Sequence, residues 1–229
     1  SMGYVAVQNK LNPAAVVRQV EEARMLTASN TVSSEDDTEL VAGIKDDPYA
    51  IGYFGHAYYS NNTDDLRAVY VNGAPPSAEA AKSGEYHYTR PLYIYSAKEV
   101  LEEREHVAGY VNHYLNNINN NIEDVGYFPT SDEALTQAKQ AWMEATGTEG
   151  SEFPVVDPES VSTEEDLGII GSSTVYPVSR QMAVDFRKAG FSGPFNIEQV
   201  GTSAGFAAFC KGSGPDIANA SRPITRKEL

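Results

Sequence analysis

The stretch Leu167-Gly168-Ile169-Ile170-Gly171-Ser172-Ser173-Thr174-Val175-Tyr176 decides the fold class. Leu167 to Ile170 is a short apolar run that reads as a strand. Gly171-Ser172-Ser173-Thr174 is a polar loop, and a helix is expected from there to about Lys188. The same order returns at once. Phe195 to Val200 reads as a strand, Gly201-Thr202-Ser203 as its loop, and a helix follows to about Lys211. Asp216 to Ala218 is a third strand, followed by the polar run Asn219 to Pro223, and Leu229 falls in the expected start of another helix. Strands alternating with helices imply an α/β fold with a mostly parallel sheet flanked by helices.

In a parallel sheet such loops all lie at the carboxyl edge, where ligands bind. Two of these loops open helices. A helix N-terminus offers unsatisfied N–H groups and a partial positive charge, so it holds anions without a lysine. Ser173, Thr174, Thr202 and Ser203 add hydroxyls, and Arg222 adds a fixed charge with a bidentate donor fork. Each loop alone reads as an ordinary helix cap. Three together read as a compact oxyanion site. Gly171-Ser172-Ser173-Thr174 lacks the later Gly-Lys pair of a Walker A loop, which argues against a nucleotide enzyme.

Upstream, Asn12 to Arg24 and Asp37 to Lys45 carry helical apolar spacing. Ala50 to Phe54, Leu66 to Val71 and Leu92 to Tyr95 read as strands, the second ending at the turn pair Asn72-Gly73. Ala97 to Leu115 reads as one long helix, followed by the Asn-rich stretch Asn116 to Asn121. Ser131 caps a further helix to Ala145, with Ala134 at the third position, so no capping box forms. Residues 146–166 hold Glu149, Glu152, Asp157, Glu159, Glu164, Glu165 and Asp166 and no basic residue, with Pro154 and Pro158 between them. That composition reads as a solvated linker dividing residues 1–145 from 167–229.

Composition narrows the function classes. The 229 residues suit one large domain or two small ones. With 17 Lys+Arg against 32 Asp+Glu, the net charge is −15, which argues against nucleic acid or an anionic membrane as main partner. Cys210 stands alone, so no internal disulfide forms and no cysteine-rich metal site is expected. No apolar run approaches the ~18 residues of a membrane span. His106 and His113, seven apart on the long helix, read as solvated surface residues, since no third ligand stands at metal spacing. Ser34-Glu35-Asp36-Asp37 reads as a helix entry, where carboxylates suit the dipole. No nucleophile elbow anchors a hydrolase triad, and no cofactor is implied.

Three motifs then carry a family resemblance. Gly171 to Pro177, Val200-Gly201-Thr202-Ser203-Ala204-Gly205-Phe206, and Asp216-Ile217-Ala218-Asn219-Ala220-Ser221-Arg222-Pro223-Ile224 resemble the amino-terminal motifs of the phosphate-binding protein family of bacterial phosphate ABC transporters. Ser34 to Asp37, Ala50 to Tyr59 and Arg90 to Tyr95 resemble that family's carboxyl-terminal third, and Val125 to Pro129 its closing segment. The order is therefore inverted: family tail, acidic linker, family head. A permuted chain or a window across two tandem copies would both give it, and the window is the expectation.

The resemblance implies a periplasmic-binding-protein-like lobe, one of two that close around a ligand. It implies phosphate contacts at Ser173, Thr174 and Val175 in the first loop, Thr202 and Ser203 in the second, and Ser221 in the third with Arg222 beside it. Some relatives carry an aspartate at the position of Ser221. The family's Ser-Gly-Thr phosphate loop has no counterpart here, so an incomplete site is expected. Non-covalent capture is implied, with a membrane permease as partner and an extracytoplasmic location. The two halves would pack within one chain or swap between copies in a homo-oligomer.

Overall fold

The computed structural model describes residues 28–211 and 214–228. The expected helix from Asn12 to Arg24 lies outside them. Helices α1 (Asp37–Asp46), α2 (His56–Ser60) and α3 (Ala78–Ser83) lead to strand β1 (Tyr93–Tyr95). Helices α4 (Lys98–Glu103), α5 (Glu105–Val125) and α6 (Asp132–Thr146) follow, then a single 3-10 turn at Pro158–Ser160. The last part alternates as expected: β2 (Leu167–Gly171), α7 (Tyr176–Lys188), β3 (Phe195–Gln199), α8 (Thr202–Phe209) and β4 (Ile217–Ala220).

The sheet runs in the order β1-β4-β2-β3. Strand β2 pairs in parallel with both β3 and β4, while β1 adds antiparallel to the outer edge of β4. The mostly parallel sheet is thus present, with the polar loops after β2, β3 and β4 at one edge. Both faces are covered. On one face Leu167, Ile169 and Ile217 pack against α5 and α7 through Val107, Tyr110, Met182 and Phe186. On the other, Ala218 and Ala220 of β4 are small enough for Phe206 of α8 to reach them, joined by Tyr93 and Tyr95. Burying each such large apolar side chain is worth about 1.5–3 kcal/mol.

Three local readings are corrected. The segments 50–54 and 66–71 are not strands: apart from an isolated bridge between Val71 and Ala74 across the Asn72-Gly73 turn, they pair with nothing in the sheet. Ile51 is 86% exposed. The long helix is two helices broken at Arg104, and the second runs through the Asn-rich stretch to Val125. The asparagines stay helical because Ile118 and Ile122 hold the apolar period, while Asn116 and Asn117 bond back one turn to Asn112 and His113. Residues 226–228 form a turn, and Leu229, where a further helix is expected to start, lies outside the described residues.

The histidine and linker readings change too. His106 is buried, and His113 packs at 5.3 Å on Phe186; burial lowers the His113 pKa against the pull of Asp185. Neither is a solvated surface residue. The acidic segment does not behave as a freely solvated linker. Phe153 packs edge-on to Trp142, Val156 and Val161 join the core, and buried Asn112 bonds the Pro154 carbonyl and the Val156 amide. Its carboxylates project while its few apolar residues anchor it.

Candidate oxyanion site

Strand β2 ends at Gly171, whose φ is +137°; a Cβ there would overlap the Asn219 carbonyl oxygen. That close approach lets Ser172 N–H donate to Asn219 at 2.9 Å, while the Gly171 carbonyl accepts the amides of Val200 and Gly201, each at 3.0 Å. One glycine thus ties the ends of β2, β3 and β4 together. Gly205 adds to this, since a Cβ on α8 there would press on the Gly171 backbone.

The first loop turns directly into α7. Tyr176 N–H already bonds the Ser172 carbonyl at 3.1 Å, so the turn begins at Ser172. The amides of Ser173 and Thr174 are then the first-turn donors, the groups a helix leaves without an internal acceptor. Ser173, Thr174 and Val175 are all buried. The second loop gives α8 its start at Thr202, with Gly201 at φ +83° as its cap and no side-chain cap. Thr202 Oγ1 accepts the Ser221 amide at 3.2 Å and lies 3.3 Å from Ser221 Oγ. The second and third loops therefore meet, and both hydroxyls are buried.

Ser203 and Arg222 sit further out. Ser203 is exposed, and its Oγ accepts Arg222 Nη2 at 2.9 Å. The guanidinium lies 5.6 Å from the Phe206 ring centroid and grips both oxygens of Glu228. All seven expected site residues thus lie on the loops of one sheet edge. Thr202–Ser221 and Ser203–Arg222 are joined directly.

The first half of the chain supplies groups that sequence reading missed. Thr174 Oγ1 donates to Asp37 Oδ2 at 3.1 Å. Tyr127 O–H donates to the Thr174 carbonyl at 2.7 Å, and Tyr58 O–H to the Ser173 carbonyl at 2.9 Å. Gly55 fits beneath, where a Cβ would collide with the Tyr127 hydroxyl and Thr174. Burial raises the Asp37 pKa, opposed by the Thr174 hydroxyl and by Arg90. Burial also raises both tyrosines, helped by the Asp37 charge. Ser34 to Asp37 is a helix entry as expected, since Asp36 caps α1 through Thr38 N–H. What no local pattern announced is that the next carboxylate, Asp37, faces the loop after β2. Among the described residues no group of acids, histidines or cysteines is arranged to hold a metal.

Residues 130–229 match the family model described as a PBP superfamily domain. That stretch holds β2, β3 and β4 with the helices between them, so the likeness falls on the strands that carry the three loops. The chain is 35% identical over 130 residues to protein SphX of Synechocystis sp., covering 55% of this chain and 38% of that protein. It is 28% identical over 111 residues to the phosphate-binding protein PstS of Staphylococcus saprophyticus, covering 45% of this chain and 35% of the relative. It therefore spans less than two fifths of the length of these curated relatives. A crystal structure of a phosphate-binding protein of a phosphate ABC transporter from Streptococcus pneumoniae TIGR4 aligns with a TM-score of 0.49 at 21% identity, over 88% of this chain and 68% of that one.

Proposed function

We propose that this chain carries the phosphate-contacting edge of a binding protein that captures inorganic phosphate for an ABC transporter. The carrying observation is the meeting of three strand-end loops on a parallel sheet, with buried Thr202 and Ser221 hydroxyls 3.3 Å apart and two helix starts beside them. Such an edge suits a small oxyanion, because fixed dipoles and hydroxyls hold it inside an acidic protein. Ser173, Thr174 and Val175 then cradle one side of the phosphate, and Thr202, Ser203, Ser221 and Arg222 the other. The naming of the relative PstS as phosphate-binding supports this choice of anion.

Capture is non-covalent, so a membrane permease is the next partner and the location is extracytoplasmic. The site is half of a closing cleft, with residues 1–145 resembling the family's carboxyl-terminal segment and 167–229 its amino-terminal segment. The same architecture would permit segment exchange between two chains.

Isothermal titration with inorganic phosphate is the test, with sulfate alongside. Weak phosphate binding, lost in Thr202→Ala, is expected. Submicromolar affinity would overturn the half-site reading, and intact binding in Thr202→Ala would overturn the site assignment.

A further inference from the structure

We infer that Glu228 is a built-in competitor for the oxyanion site, a carboxylate that holds Arg222 until an external anion takes its place; this rests on the reading of the site above. Arg222 Nη1 donates to Glu228 Oε2 at 2.8 Å and Nη2 donates to Oε1 at 2.6 Å. These are two parallel bonds from one fork, the geometry by which arginine also takes a phosphate. The guanidinium stands at the first turn of α8, since its Nη2 also reaches Ser203 Oγ. It therefore stands beside both loops of the buried Thr202–Ser221 pair, adjacent in sequence to Ser221 and bonded to the neighbour of Thr202.

Glu228 is itself well placed to compete. Its Oε2 accepts the Thr225 amide at 2.9 Å and the Thr225 hydroxyl at 2.7 Å, so the carboxylate is aimed before it meets Arg222. A second carboxylate lies at the helix start. Glu35 rests so close over Gly201 that a Cβ there would overlap its carboxyl group. The guanidinium and the opening of α8 thus each have an acid of this chain beside them. Anion entry is then an exchange: phosphate takes the donors and Glu228 turns to water. Such an exchange lowers affinity and favours a dianion, which gains more than the monoanionic carboxylate from the same donors.

Titration of phosphate into folded native chain and variants tests this, with circular dichroism confirming each fold. Glu228→Gln should bind phosphate about five- to tenfold more tightly, the release of a partly exposed ion pair. Glu228→Ala, which leaves no amide in its place, should gain similarly. Arg222→Ala in the Glu228→Gln background should abolish the gain. Glu149→Gln, which removes the same unit of charge from the exposed acidic segment, should leave affinity unchanged. Unchanged or weaker binding in both Glu228 variants, while the native chain binds, overturns the competitor role alone. No phosphate heat from any folded variant overturns the site reading with it.

Discussion

Asp37 is a carboxylate spent on another residue's hydroxyl. It is fully buried under the loop that follows β2, where burial raises its pKa above the ordinary 3.8. A raised folded value means the native state binds the proton more tightly than the unfolded chain does. Its contribution to stability is then fully present below 3.8 and is lost as pH rises through the raised value. Urea melts from pH 3 to 7 should show this fall in the native chain and its absence in Asp37→Asn. Asn keeps an acceptor for Thr174, so Asp37→Asn should match or exceed native stability at pH 7. Asp37→Ala leaves Thr174 unpaired and should cost about 1–2 kcal/mol. Glu228 has the opposite sign. The hydrogen bonds from Arg222 hold its pKa at about 2, below the usual 4.5, so its stabilisation is present above 4.5 and fades as pH falls toward about 2. Carboxyl NMR of Glu228 should titrate in that low window. At this scale the sequence disclosed which residues carry hydroxyls and charge on the three loops. It did not disclose Asp37, Tyr58 or Tyr127 as their supports, because those contacts span 47 to 137 positions along the chain.

At the scale of elements, strand-loop-helix units were readable because each closes locally: an apolar run of four or five residues, a small-residue loop, then a helix. The break between α4 and α5 was not, since Arg104 is an ordinary helix former. Its backbone leaves helical geometry, at φ −117° and ψ 88°, where its side chain crosses to the start of β4. There it pairs with buried Asp216 and with Glu165, and donates to the Asp166 carbonyl at 2.8 Å. Asp216 in turn accepts the Gly168 amide at 2.8 Å, so Arg104 and Asp216 fix the amino ends of β2 and β4. Arg104→Ala leaves the Asp216 charge buried without its cation. It should lower stability by about 3 kcal/mol in urea unfolding. The carboxyl ends of the same strands depend on Gly171. Gly171→Ala forces a Cβ into the Asn219 carbonyl at a φ that side chains avoid, and should cost about 3 kcal/mol or prevent folding.

Across the whole molecule, order is unequal. The sheet and its two helical covers hold the core, whereas the 28–90 part lays only α1, α2 and a few tyrosines on it. Segments 50–54 and 66–71 have strand composition yet no partner in the sheet, and Tyr49, Ile51, Val69 and Tyr70 are all exposed. Here composition misled: β-branched and aromatic residues favour a strand only where a neighbour accepts the ladder and a face is covered. Tyr53 and Tyr88 offer each other edge contact at 5.8 Å instead, with Tyr86 beside them. Local opening should follow this division, because amides outside a hydrogen-bonded ladder exchange without global unfolding. Native-state hydrogen exchange at neutral pH should find the amides of residues 51–54 and 67–70 exchanging orders of magnitude faster than those of Ile169, Ile217 and Phe186. Exchange at 51–54 as slow as in β2 would mean that these segments find a partner in solution, and slowing that grows with protein concentration would identify that partner as a second copy of the chain.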